Sequence, residues 1–145
     1  MTESMRPRVD LPAVRTDADL QRHWTAMMGP GGFAYSSLWT IWFDDEGASL
    51  PLVVPIDDVP EHPDDQLVDN LMLGMRQPLD ASAATSLAML LSRPGGASMR
   101  PGDRAWARTL IAAAQRHQLT MWPVHLATHG RVRAFRPDDL VADQQ

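Results

Sequence analysis

The chain contains no cysteine and no lysine among its 145 residues. Without cysteine it can form no disulfide, no thiolate nucleophile and no cysteine-ligated zinc or iron–sulfur centre. All 13 basic residues are arginine, which excludes a Schiff-base lysine and the lysine of a phosphate-binding P-loop. Histidine, aspartate and glutamate therefore remain as the side chains that could bind a metal.

Long hydrophobic runs are also absent, since no stretch approaches the roughly 20 apolar residues that cross a membrane. The polar start Met1-Thr2-Glu3-Ser4 lacks the apolar core of a signal peptide. Hydrophobic residues make up 44% of the chain and charged residues 21%, which is typical of a globular protein. We therefore predict a cytoplasmic protein that does not enter the membrane. It would comprise a flexible arm over residues 1–15, one domain over residues 16–142 and a tail over residues 143–145.

The charges are unevenly distributed along a chain whose formal net charge is −5. Ten acidic residues and one arginine, Arg76, lie between positions 44 and 80. Eight arginines and one acid, Asp103, lie between positions 91 and 136. This asymmetry can create two surfaces of opposite sign, which would steer an anionic ligand, a charged partner or a second copy. Alternatively, the two halves neutralise each other within the fold.

Hydrophobic periodicity and turn residues predict an α/β (or α+β) domain with the element order α-β-β-α-β-α-β-β. The sequence from Thr16 to Asp19 resembles a capping box, and Pro123 indicates an edge strand or a strand entrance. The segment from Pro55 to Asp65, rich in proline and acids, is predicted to be a surface loop. The predicted elements are helices over 16–28, 66–77 and about 102–118, and strands over 35–43, 49–54, 82–91, 119–128 and 132–135.

One segment carries a family resemblance. Leu91-Ser92-Arg93-Pro94-Gly95-Gly96, followed at Asp103 by a helix, resembles the His-x-His-Pro-x-Gly…Asp signature of the JAB/MPN metallopeptidase superfamily, most closely its RadC-like branch. The resemblance covers roughly residues 32–135. It implies a three-layer domain related to the cytidine deaminase fold, with a mixed central sheet.

The same resemblance implies that the metal has been lost. In an active JAB enzyme two histidines and an aspartate hold zinc, and a glutamate from an earlier strand helps a metal-bound water to attack. Here Leu91 and Arg93 stand in place of the histidines, and the matching strand reads Tyr35-Ser36-Ser37-Leu38 without a glutamate. We therefore expect no metal, no cofactor and no JAB-type catalysis. Arg93 is predicted to pair with Asp103 and so replace the charge of the metal.

Asp103 also has a purely structural interpretation, because an acid in the first turn of a helix binds exposed N–H groups and complements the helix dipole. The histidines offer a weaker catalytic alternative. Asp103 with His125 or His129 could form a remodelled metal-dependent hydrolase or deaminase-like site, although no acid that would hydrogen-bond and orient a metal-binding imidazole lies nearby in the sequence. His117 is expected to end a helix.

The leading hypothesis is a catalytically inactive domain that binds a protein partner or a second copy of itself. An acidic loop, residues 57–65, would form a second contact surface. A third hypothesis is nucleic-acid binding through the arginine-rich 93–108 segment, with Trp106 or Trp122 as stacking surfaces, although the overall acidity opposes it. The candidate binding residues are Arg93, Arg100, Asp103, Arg104 and Arg108.

Overall fold

The computed structural model of this protein describes residues 12–81 and 83–141. This part of the chain forms an α/β domain with five helices and five strands. The predicted order is confirmed for the longer elements, and two five-residue helices, α3 and α5, are added to it. The elements are α1 (Asp17–Met28), β1 (Ser37–Phe43), β2 (Ser49–Asp57), α2 (Asp65–Met75), α3 (Gln77–Ala81), β3 (Ser86–Ser92), α4 (Pro101–Arg116), β4 (His125–Thr128), β5 (Arg131–Ala134) and α5 (Pro137–Val141).

The strands of the described chain form one mixed sheet in the order β2-β1-β3-β4-β5. β1 is antiparallel to both β2 and β3, β3 is parallel to β4, and β4 is antiparallel to β5. β3 lies at the centre, and every residue from Ser86 to Ser92 is buried. Parallel neighbours need a crossover connection, which α4 provides between β3 and β4. The crossover leads the chain from the end of β3, through a short loop, into the start of α4.

Helices cover both faces of the sheet. On one face Trp24 of α1 packs with Leu90, and on the other Met72 of α2 and Trp106 of α4 pack with Leu91. Side chains of β3 alternate between these two clusters, as they must in an extended strand. The domain therefore has three layers, and odd-numbered positions at the end of β3 face α4.

The largest departure from the predicted strands is in β2, which continues to Asp57 instead of ending before Pro55. Pro55 pairs with Trp39 of β1. Since β2 is an edge strand, a proline fits there when its missing N–H would have faced solvent. The predicted loop therefore begins three residues later than expected.

Two predicted strands are shorter in the structure. The strand predicted over residues 82–91 begins at Ser86, and residue 82 lies outside the described part of the chain. The strand predicted from Leu119 shrinks to His125–Thr128, preceded by an isolated bridge between Leu87 and Met121. Pro123 interrupts this segment because it has no N–H to donate to a neighbouring strand.

Most of the predicted arm, residues 1–11, lies outside the described residues, as does the predicted tail. Near the end of the predicted arm, Val14 is buried and its N–H donates to the carbonyl oxygen of Gly47 at 2.8 Å. The capping box is confirmed, with Thr16 and Asp19 accepting each other's backbone N–H. None of the described helices is long and apolar enough to cross a membrane.

Candidate functional site

The predicted pair between Arg93 and Asp103 is confirmed as a bidentate ion pair. The Nε atom of Arg93 donates to Oδ1 of Asp103 at 2.8 Å, and Nη2 donates to Oδ2 at 2.8 Å. The side chains of Arg93 and Asp103 are 6% and 4% exposed, respectively. Parallel N–H donation to both carboxylate oxygens is the strongest geometry available to these two groups. Two charges from different elements thus neutralise each other in the protein interior.

The remaining donors of Arg93 hold the loop that follows β3. Nη1 donates to the carbonyl oxygens of Pro94 at 2.9 Å and Gly96 at 3.0 Å. Nη2 also donates to the carbonyl oxygen of Ser98 at 2.8 Å. A guanidinium has five N–H donors, and these contacts occupy all of them. Arg93 is therefore surrounded by oxygen atoms, as a bound cation would be, and keeps no N–H for a partner.

Asp103 has a second role in the same place. Its Oδ2 atom accepts the backbone N–H of Arg100 at 2.9 Å, just before the first turn of α4. Carboxylates at this position satisfy an N–H that the helix leaves unpaired and complement the helix dipole. The predicted structural role of Asp103 is therefore confirmed, and the same side chain also carries the ion pair.

A cavity of about 200 Å³ opens beside the ion pair. Ser36, Leu91, Arg93 and Asp103 all line it. Leu91 and Arg93 are two residues apart at the end of a strand, so their side chains leave the same face of the sheet. Residues from three separate parts of the sequence thus surround one cavity. Its other lining residues are Pro60, Glu61, Pro94, Arg100, Gly102 and Trp106.

The other predicted binding arginines have different surroundings. Arg100 is exposed and lines the cavity. Arg104 is half-buried, and its Nε atom is buried without a partner among the described residues. Arg108 is half-buried and donates from Nη1 to the carbonyl oxygen of Leu140 at 2.7 Å. Arg100 is therefore the most accessible of the candidate residues.

The acidic and basic halves of the sequence lie side by side in the fold. Asp69 of α2 accepts from Arg116 of α4 at 2.9 Å and lies 2.8 Å from Nε2 of His117. The hydrogen bonds from Arg116 and then His117 lower the pKa of Asp69. Neutralisation within the fold, the second alternative from the sequence, therefore accounts for part of the asymmetry.

The acidic loop packs on the start of α4, a contact that the sequence did not predict. The indole N–H of Trp106 donates to the carbonyl oxygen of Pro60 at 2.9 Å. A Cβ atom on Gly102 would lie 2.6 Å from the carbonyl oxygen of Glu61, so the glycine allows this close approach. The acidic loop and Arg100 consequently lie at the same end of the sheet.

The histidines do not assemble with Asp103. His125 shares the α1 face with Ala127, because alternate β4 residues point to the same side, whereas Asp103 lies on the α4 face. His129 is exposed beside Gly32. Residues 12–81 and 83–141 contain no group of three or more histidine, aspartate or glutamate side chains that could hold a metal. The sheet separates Asp103 from His125, so the remodelled site has no geometric support.

Because two histidines are buried, we predict that the free energy of unfolding decreases as the pH is lowered. Burial lowers the pKa of His23 and His125 from the usual 6.5, because a charged ring would lose its hydration. His23 Nδ1 and His125 Nε2 have no partner within the described chain. Below about pH 6.5 the unfolded state therefore binds protons that the folded state does not, and stability decreases by up to about 1.4 kcal/mol per pH unit for each histidine.

Urea unfolding between about pH 7.5 and about pH 5.5 would measure this loss. The variant His62→Gln is the matched control, since it removes an exposed histidine instead of a buried one. Equal unfolding free energies at the two pH values would contradict the prediction.

No protein-family model matches the sequence, and no curated protein shows significant similarity to it.

Proposed function

We propose that this chain is a RadC-like JAB/MPN domain that has lost its metal and acts by binding. In this proposal the Arg93–Asp103 pair replaces the metal as the charged centre of the former site. The observation that carries it is the shared cavity: Ser36, Leu91, Arg93 and Asp103 come from separate parts of the sequence and line one space. A helix cap alone would not require Leu91 and Ser36 to meet there.

The architecture supports the same proposal. The family resemblance implies three layers around a mixed sheet, and the described chain has a mixed sheet with α1 on one face and α2 and α4 on the other. The end of β3 and the start of α4 come together on one face. This is the placement that a His-x-His…Asp ligand set needs in order to converge on one metal.

The residues present do not fit a zinc ion. Leu91 has no donor atom, and the guanidinium of Arg93 is a fixed positive charge that repels a cation. Asp103 already uses both carboxylate oxygens on Arg93 and the N–H of Arg100. A metal-bound water therefore has no place in the proposed function, and the site's chemistry is that of binding.

The binding partner that we propose is a second copy of the chain. Exposed Arg100 and the acidic loop lie next to each other, so a two-fold axis between copies would bring each positive patch against a negative one. Opposite-charge contacts at exposed positions are screened by salt. Association should therefore weaken as the salt concentration rises.

Sedimentation analysis at about 50 mM and about 500 mM NaCl tests this proposal. We expect dimers at low salt, and the double variant Arg100→Ala, Arg104→Ala should weaken dimerisation about tenfold. Arg108 is kept because its loss would remove the contact with Leu140. The control Arg131→Ala, Arg136→Ala changes the charge equally at exposed positions elsewhere. A monomer at low salt, or equal dimerisation of both variants, would contradict self-association.

A further inference from the structure

The cavity beside the ion pair has a mixed lining, in which the apolar side chains of Leu91 and Trp106 lie beside charged side chains. Leu91 and Trp106 line it and are almost completely buried, at 3% and 2% exposed. Its volume of about 200 Å³ compares with about 30 Å³ for one water molecule in the liquid. The space is therefore large enough for a small organic ligand of several non-hydrogen atoms.

Arg100 supplies the unmatched charge. Its guanidinium lines the cavity and has no acceptor among residues 12–81 and 83–141. Glu61 lines the same cavity, yet its side chain is 79% exposed and lies 3.9 Å from His62 instead of pairing with Arg100. The neighbouring charge of Arg93 is already balanced by Asp103. Arg100 is thus the cation of this cavity that still needs a counter-ion.

The guanidinium of Arg100 lies against the backbone of Gly95. Gly95 has φ +97°, and a Cβ atom there would lie 2.2 Å from Nη2 of Arg100 and 3.3 Å from Nη1 of Arg93. Two guanidinium groups thus converge above a glycine that has neither a side chain nor a strained backbone in that conformation. Asp103 balances only one of them, and the second carboxylate of the cavity, Glu61, is 79% exposed and does not pair with Arg100. The potential close to Gly95 is therefore positive and attracts an anion.

We infer that the cavity binds a small monocarboxylate with a short apolar chain, whose oxygens pair with Arg100. This inference rests on the proposed function in one respect, because it takes the former metal site as a binding site. A planar carboxylate matches the two parallel N–H donors of a guanidinium, and Leu91 and Trp106 provide contacts for the apolar chain. Glu61 at the same cavity repels a phosphate dianion more strongly than a monocarboxylate.

Titration of the ¹⁵N-labelled full chain with sodium butyrate tests the inference by NMR. We expect saturable shifts of the Gly95 and Gly102 amides and the Trp106 indole, and weaker shifts with inorganic phosphate. Arg100→Ala should raise the dissociation constant about tenfold or more. The control Arg131→Ala, at an exposed position on β5, should leave it unchanged. Glu61→Gln should reduce the ratio between the dissociation constants for phosphate and butyrate, because the carboxylate that repels phosphate is removed.

Equal butyrate affinity in the original chain and the Arg100→Ala variant would overturn the inference. Shifts that sodium chloride reproduces at the same ionic strength would overturn it as well. These outcomes are separable from the dimer test. Saturable butyrate binding by a monomer would uphold the carboxylate site and reject self-association, whereas a salt-sensitive dimer without butyrate binding would reject the carboxylate site alone.

Discussion

Asp103→Ala is expected to destabilise the fold by about 3–5 kcal/mol, the range found when one partner of a buried ion pair is removed. The Arg93 side chain is only 6% exposed, and the substitution removes its counter-ion. It also removes the acceptor for the backbone N–H of Arg100. Urea unfolding followed by tryptophan fluorescence would measure the loss. Asp103→Asn should lose less, because its amide oxygen can still accept one of these hydrogen bonds.

Asp69→Ala is the matched control. Asp69 also pairs with an arginine, Arg116, but the two side chains are 39% and 52% exposed. Exposed pairs contribute about 0–1 kcal/mol, so this variant should remain close to the original chain. If Asp103→Ala cost no more than Asp69→Ala, the pair at Arg93 would not be the charged centre that we describe.

Replacing both Arg93 and Asp103 distinguishes the stability contributed by the ion pair from the stability contributed by the hydrogen bonds to the loop. Many buried pairs can be exchanged for apolar residues at little cost. Here Arg93→Met with Asp103→Leu should remain clearly destabilised, because the carbonyl oxygens of Pro94, Gly96 and Ser98 lose their donors. Full recovery in this double variant would show that Arg93 does not organise the loop.

The sequence predicted the features whose causes are local. The capping box from Thr16 to Asp19 places its own hydrogen bonds within four residues, so its pattern is sufficient. The Arg93–Asp103 pair was predicted in another way, from the family resemblance, which assigns positions 93 and 103 to one site. The structure confirms the pair itself.

The features that the sequence did not reveal depend on distant neighbours. β2 runs through Pro55 because it lies at the edge of the sheet, and edge position is a property of the whole topology. The contact between Trp106 and the carbonyl oxygen of Pro60 joins segments 46 residues apart. Likewise, the direction of three loop carbonyls towards Arg93 depends on backbone angles that residue types do not specify. The cavity was therefore visible only in the structure.

In the RadC-like domain that we propose, a zinc site should appear when histidines replace Leu91 and Arg93. Leu91→His with Arg93→His would place two imidazoles beside Asp103, in the cavity that all three positions line. Two histidines and an aspartate leave the fourth tetrahedral position for water, as in catalytic zinc sites. Removing Arg93 also frees the carboxylate oxygens of Asp103. The double variant should be unstable without metal and regain stability with zinc, because binding to the folded state stabilises it.

Single variants provide the control for this experiment. Leu91→His alone keeps the Arg93 guanidinium against Asp103, so it should bind no zinc. Arg93→His alone supplies one imidazole and should bind zinc weakly. Zinc binding of equal strength in all three variants would indicate a surface site elsewhere.

The most direct test of the central proposal, that Arg93 and Asp103 occupy a former metal site, is the zinc content of the Leu91→His, Arg93→His variant. It should be measured by mass spectrometry on untagged protein after dialysis. The account predicts one zinc ion per chain, and none when Asp103→Ala is added. A folded double variant without zinc, or the same zinc content without Asp103, would contradict it.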